Sequence, residues 1–424
     1  MILLSRLALA VLSVLALASI LPGYVAKMFP RDYVTTIMGY SDDQQRLIFR
    51  NYRGGRWSYN DNQGNSLTEQ QMREALPFAH MRELKQLGRL PEKVGDWTFD
   101  ADNLARHGTR LRLVPRYLDQ PDFRLYTLLE SVPGPGGLVM PPDLFRMGQR
   151  IEFIDADSNR IDADKTDRFN QALTSAGFVH PARLVGDDGN TRKPRDHGAL
   201  LVDAEGRVFH LWQIDGEPEV IRSETLLPTS ALSIRVLQLP NREYHGLVTL
   251  PDQHLLLDWQ DYAARPLPLT GHDATREFVA IDETPLHWEL SWSRDGSATK
   301  HFVLADRQLQ PVLQHTWHED TADVDKRALR ANSLGFLFPF KLAFRQIDNS
   351  QRNLYFSTFD ANWMVSLAGV VSALATYLLW SRRQQRRLPH ALDWVFILCT
   401  GWLGAITLAV LGPLAWRPTL SRKT

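Results

Sequence analysis

Three uncharged apolar runs constrain this chain more than anything else in it. Leu7–Ala26 holds 20 residues, Trp363–Trp380 holds 18 and Trp394–Trp416 holds 23, with no Asp, Glu, Lys or Arg in any of them. As helices, runs of this length match the ~30 Å hydrocarbon core of a bilayer. The tryptophans that bracket the last two suit the headgroup level. Ala16-Leu17-Ala18 could end a cleaved signal peptide, but the apolar run continues past it to Val25, which favours a retained anchor. The expected fold class is therefore a membrane-anchored α+β chain with three transmembrane helices and a predominantly β ectodomain.

Charge gives the expected orientation. Outside residues 27–360 the basic residues are Arg6, Arg382, Arg383, Arg386, Arg387, Arg417, Arg422 and Lys423, against Asp393 alone, leaving 40 basic and 47 acidic residues between. The short loop 381–390 carries four of those arginines and should stay cytoplasmic. Three crossings then put the N-terminus inside and the body outside, in the periplasm of an inner membrane. The expected organisation is an anchor at 1–26, an α+β region at 27–196, a β-rich region at 197–360, a transmembrane hairpin at 361–416 and an outer tail at 417–424. That tail conflicts with the charge rule, because Arg417, Arg422 and Lys423 fall on the wrong side; Lys27 and Arg31 are milder exceptions. No basic stripe offers phosphate neutralisation, so a nucleic-acid partner is not expected. The single cysteine, Cys399, lies in the third run, leaving the body without thiols or disulfides.

Within the body, Gly54-Gly55 reads as a hairpin turn in residues 46–65. Thr68 and Gln71 fit a capping box ahead of Met72, Ala75 and Leu76. Pro77 should open a second helical segment that Gly88 ends. Residues 90–150 are proline-rich and irregular. "VPGPGG" at 132–137 is a loop without the Gly-Lys-Ser/Thr of a phosphate cradle. Residues 151–178 read as strand, turn and helix, with Phe169, Leu173 and Ala176 inward and Gly177 as the stop. From 197 onward the pattern is β. Turns at Ser158-Asn159, Glu205-Gly206, Pro251-Asp252 and Asp295-Gly296 recur about every 45 residues, near the period of propeller blades; another turn falls at Asp215-Gly216. A partial propeller and stacked sheets are the two arrangements this spacing allows.

Two clusters could carry metal chemistry. Asp155, Asp157 and Asn159 have the 1-3-5 spacing of a calcium loop, but Arg160 and Thr166 stand where glycine and a bidentate glutamate are needed. A polar Asx turn explains the same residues. His315 and His318, followed by Glu319, would share a face on a helix and point oppositely on a strand. Trp212, Trp259, Trp288 and Trp292 could stack a ligand, or could pack the core of alternating strands. No cofactor is expected. In the apolar runs, Gly369 with Ala373, Ala368 with Ser372, and Gly401 with Gly404 are small residues that allow close helix contact.

The segments "RWSYNDNQGNSLTEQQMREALPFAHMREL", "MPPDLFRMGQRIEFIDADSNRIDADKTDRF" and "GFLFPFKLAF" resemble the bacterial membrane-protein family named for domain of unknown function 4857. The resemblance implies a partner class, ABC-type transporter components (permease and ATPase), and no catalytic residues. Together with the bilayer itself, these are the expected partners. The expected function is a non-enzymatic binding or scaffold module, an accessory subunit of such a complex. The alternative is a metal-assisted extracytoplasmic hydrolase built on His315, His318 and Glu319.

Overall fold

The computed structural model describes residues 2–29, 35–99, 108–115, 118, 125–193, 195–239, 241–294, 297–346, 352–384 and 389–415. Seven helices and 24 strands lie among them: α1 Ile2–Ala26, α2 Glu69–Ala75, α3 Met81–Gln86, α4 Ala163–Ser175, α5 Thr321–Leu337, α6 Trp363–Arg383 and α7 Ala391–Leu411. Two compact units result. One comprises Thr36–Asn51 and Trp57–His318, and is called the body below. The other comprises Met1–Thr35, Tyr52–Arg56 and Glu319–Thr424, and is the helical unit.

The strands form short antiparallel meanders. A first sheet joins β1 Thr35–Ser41, β2 Arg46–Arg53, β3 Arg56–Asp61 and β4 Ser66–Leu67, and β5 Lys93–Val94 pairs with β6 Trp97–Thr98. β7 Arg110–Leu113 forms the edge of a five-stranded sheet whose other strands come much later. β8 Asp143–Met147, β9 Ile151–Asp155 and β10 Arg160–Ile161 form a three-stranded sheet. β11 Leu184–Gly186, β12 Ala199–Val202, β13 Arg207–Ile214 and β14 Glu217–Leu226 make a four-stranded one, as do β15 Ser233–Val236, β16 Tyr244–Thr249, β17 His254–Asp258 and β18 Ala264–Pro266. The five-stranded sheet runs β22 Pro311–His318, β21 Thr299–Ala305, β20 Trp288–Arg294, β19 Glu277–Glu283 and β7. Last, β23 Lys341–Gln346 pairs with β24 Arg352–Ser357 in the helical unit.

Five sheets of the body stack face to face, and strand alternation shows how. Met38, Leu47 and Phe49 of the first sheet meet Phe302 and Leu304 of β21, while Ile48 on its other face sits under Met72 and Ala75 of α2. Val279, Ile281, Leu290 and Val303 of the five-stranded sheet face Leu247 and Leu256 of β16 and β17. Their neighbours Val248 and Leu257 face the opposite way, onto Leu200 and Val202 of β12. Leu201 and Phe209 then pack on Phe145, Phe153 and the α4 residues Phe169 and Leu173. Each inner sheet thus buries both faces. The body is β-rich, and its sheets do not close into a propeller.

Local chemistry accounts for many boundaries. Thr68 and Gln71 form the capping box of α2, with the Gln71 N–H bonded to Thr68 Oγ1 at 3.2 Å and the Thr68 N–H to Gln71 Oε1 at 2.9 Å. Gly54-Gly55 and Asp215-Gly216 turn their hairpins with positive φ at both positions, as two-residue loops require. Turns also fall at Ser158-Asn159, Glu205-Gly206 and Pro251-Asp252; Asp295-Gly296 lies outside the described residues. Pro77 does not open α3: residues 77–80 form a turn and the helix starts at Met81. Thr321–Leu337, expected within the β region, is the helix α5, with the Asp320 carboxylate capping the Ala322 N–H at 3.0 Å.

The helical unit holds one larger departure. The apolar run Trp394–Trp416 is expected as a transmembrane helix, yet Gly401 inside α7 has φ 55° and ψ −135°. Asp393 Oδ1 accepts the Leu414 N–H at 2.8 Å. In a straight helix Asp393 and Leu411 would stand about 27 Å apart, and three further residues reach at most about 11 Å. The segment therefore folds back at Gly401 into two half-helices whose outer ends meet. Glycine is required there by its φ, and the break packs on Pro339, whose Cδ would lie 3.1 Å from an added Cβ.

Candidate functional site

Four sheets of the body contribute an edge strand to one cavity of about 530 Å3. β7, β8, β11 and β15 line it through Leu113, Met147, Val185 and Ile234 among others. β11 and β15 approach closely because residue 186 is glycine: a Cβ there would lie 2.5 Å from the Ile234 carbonyl oxygen. Edge strands carry backbone N–H and C=O groups that have no ladder partner on their outer side. On β8 Tyr126 takes up the Phe145 N–H and C=O, and the other edges offer polar backbone as well as side chains. Asp187, Asp188, Arg183, Arg235 and Ser233 add to that polar lining.

The cavity wall contains a directed chain of hydrogen bonds. Thr249 and His254 are the last register pair of the β16–β17 hairpin, so the Pro251-Asp252 turn sets them side by side. His272 comes from the loop after β18, and Glu277 starts β19. As a carboxylate, Glu277 Oε2 accepts from His272 Nδ1 at 3.1 Å and from the Asp273 N–H at 2.9 Å. His272 Nε2 is then an acceptor, and the His254 Nε2–H donates to it at 3.0 Å. His254 Nδ1 in turn accepts from the Thr249 hydroxyl at 3.2 Å. One tautomer of each ring satisfies the whole chain. Burial, with the charges of His272 and Arg235, pushes His254 down to about 3. Burial also lowers His272, outweighing the opposing pull of Glu277. Both rings are neutral at pH 7, and all four of their nitrogens are taken within the chain. Thr249, His254 and Glu277 reach the cavity directly.

The candidates from the sequence lie elsewhere. His315 and His318 are on β22, with His315 half-buried 5.5 Å from the Phe49 ring and His318 exposed. Glu319 is ion-paired with Arg327. Among the described residues no group of three or more His, Cys, Asp or Glu is arranged to hold a metal. Asp155 Oδ1 is taken by the Ser158 N–H at 2.7 Å and the Ser158 hydroxyl at 2.6 Å, which lowers its pKa. Asp157 is exposed, and Asn159 turns the chain with φ 53°.

The four tryptophans named as stacking candidates have ring partners inside the body. Trp259 stacks on His245 at 4.1 Å, Trp292 on His301 at 5.1 Å, Trp212 meets His210 edge-on at 4.6 Å and Trp288 meets Tyr244 at 5.9 Å. In the helical unit Gly369 is so close to α5 that a Cβ would fall 1.9 Å from the Phe336 carbonyl oxygen. Ala373, Gly401 and Gly404 are buried, Ala368 is exposed, and Ser372 Oγ accepts from Trp402 Nε1 at 3.2 Å. Arg382 and Arg383 end α6, exposed; Arg386 and Arg387 lie outside the described residues.

Thr249, His254, His272 and Glu277 were not singled out by sequence reasoning. The histidines are 18 positions apart, with no metal-ligand or catalytic spacing; the loop after β18 unites them by returning along the β16–β17 hairpin, where the Ala274 N–H bonds the Pro251 carbonyl at 2.8 Å.

A family model described as a domain of unknown function, DUF4857, matches residues 37–304, and this chain belongs to that family. None of the curated proteins compared with it matches.

Proposed function

We propose that this DUF4857 member is a membrane-anchored extracytoplasmic binding module, an accessory subunit of an ABC-type transporter, with the polar cavity of its body as the ligand site. The observation that carries the anchoring is the bare apolar flank of its helices. Leu4 of α1 is 75% exposed, Trp363 of α6 is 70% exposed and Val410 of α7 is 78% exposed, with many Leu and Val beside them. Apolar surface that extensive fits lipid, not water. All three helices have the length and composition of membrane segments. In this reading α6 runs inward to Arg382 and Arg383 at the cytoplasmic face, and the body stands in the periplasm.

The body's stack of sheets fits an open propeller with four edge strands around its axis. Propeller axes and sheet ends are recurrent ligand sites, and about 530 Å3 suits a small polar molecule or a short peptide end. Binding without turnover is favoured because the Thr249–Glu277 chain uses each ring nitrogen in a fixed bond. The partner class comes from the family resemblance. The test is affinity purification of the tagged protein in mild detergent from its own membranes, followed by mass spectrometry. A stoichiometric permease and ATPase are expected. Recovery of the protein alone after crosslinking would remove the accessory-subunit reading.

A further inference from the structure

The geometry points to a re-entrant hairpin: the last apolar run, α7, enters the bilayer and returns to the face it came from without crossing. This rests on the membrane reading above and goes beyond it, because composition alone makes α7 a third span. Each half of α7 has about ten residues, or roughly 15 Å of helix, half the ~30 Å hydrocarbon thickness. Neither half can cross, and the Asp393–Leu414 bond brings their outer ends together. Asp393 also closes the helix start, its Oδ2 accepting the His390 N–H at 3.2 Å. The same carboxylate thus ties both mouths of the hairpin.

Neighbouring helices agree on the face. α7 enters a short distance after the end of α6, and Arg6 Nη2, near the start of α1, donates to the Leu411 carbonyl at 2.7 Å. The start of α1, the end of α6 and both ends of α7 therefore share one side. Non-helical backbone at membrane depth is tolerated only where protein covers it. The break meets that condition: Gly401 is buried against Pro339 and Val370. Half of the most apolar window of α7 is buried (50%), against 17% for α1 and 22% for α6. Beside the break, the Trp402 indole bonds Ser372 of α6.

The hairpin also removes the charge conflict. With a crossing α7, Arg417, Arg422 and Lys423 would lie opposite the arginine loop. With a re-entrant α7, the described basic residues Arg6, Arg382 and Arg383 flank the face at which α7 both starts and ends, and the chain leaves α7 from that face, as the charge rule demands.

Single cysteines introduced into a Cys399→Ala background test this in native membranes. Gln384→Cys reports the end of α6, Ala415→Cys the exit of α7 and Asp157→Cys the body; Gln384 and Asp157 are exposed. A membrane-impermeant maleimide is applied to right-side-out and to inverted vesicles. Residues 384 and 415 should label from the same side. Labelling from opposite sides would overturn the hairpin. Residue 157 reports separately: on the side opposite 384 it supports the crossing of α6. On the same side it would refute the anchoring reading, while the 384–415 comparison still decides the hairpin.

Discussion

The body and the helical unit solve packing in opposite ways. In the body each inner sheet lies between two others, so strands such as Ala199–Val202 are buried on both faces. In the helical unit the helices pack through narrow stripes, Ala10, Val14 and Ala18 on α1 and Ala373 and Tyr377 on α6, and leave their other flanks bare. The first pattern stabilises a fold in water by removing apolar surface from it. The second leaves that surface exposed.

Glycine sharpens the contrast, and its replacement should have the largest effects. A Cβ at Gly246 would lie 2.3 Å from Leu200 Cδ1 and 2.6 Å from the Arg235 carbonyl oxygen. Gly246→Val should cost the body about 3 kcal/mol or more, read as a fall in its denaturation midpoint. Gly369→Val meets the Phe336 carbonyl and should loosen α5 from α6. Hydrogen exchange should then rise in residues 334–338 and stay unchanged in β12 and β13. Equal loss of protection in both units would break the comparison.

Asp393→Ala comes next. It strips the partner from the buried Leu414 N–H and from the part-buried His390 N–H, a cost of about 1–3 kcal/mol. The Leu414 amide should lose its exchange protection, while body amides keep theirs.

The two units were unequally legible in the sequence. Hydropathy gave the three apolar helices, and turn chemistry gave Gly54-Gly55, the Thr68 cap and the meanders after 197. Their joint order did not follow, because β7 joins a sheet whose partners lie more than 150 residues later. α5 escaped notice amid β pattern. The break in α7 rests on one glycine whose role is set by Pro339 and Asp393, neither local to it. The cavity was least legible: His254 is placed by the β16–β17 register and His272 by a loop that folds back onto that hairpin, and neither placement is local in sequence.

Acid should affect the body in a defined direction. His210 and His254 are pushed to about 3 and His245 to about 4, each chiefly by burial. An unfolded imidazole binds its proton near 6.5, so the unfolded chain takes up more protons than the folded one below that pH. Stability is then full above 6.5 and falls as the pH drops from there toward 3. Asp42, raised to about 6 by burial, has the opposite sign: its contribution is full below its ordinary 3.8 and is lost as the pH rises through 6. Those three histidines and His80, lowered to about 4 chiefly by burial, outweigh Asp42, Asp196 and Asp282, whose carboxyls burial raises, so denaturation midpoints at pH 7 should exceed those at pH 5. Thr249→Val should lower the stability at pH 7 by about 1 kcal/mol.

The smallest effect is expected at His318, which is exposed at the end of β22. His318→Ala should change stability by less than about 0.5 kcal/mol, with the same midpoint in a chelator.

The most direct test of a periplasmic body held by lipid-facing helices is alkaline carbonate washing of native membranes, combined with protease added to the outer face of spheroplasts. The chain should stay in the carbonate pellet, and protease should cleave within residues 36–318 while an epitope in the 384–390 loop survives in the membrane. Release by carbonate, or a body protected until the membrane is opened, would contradict that arrangement.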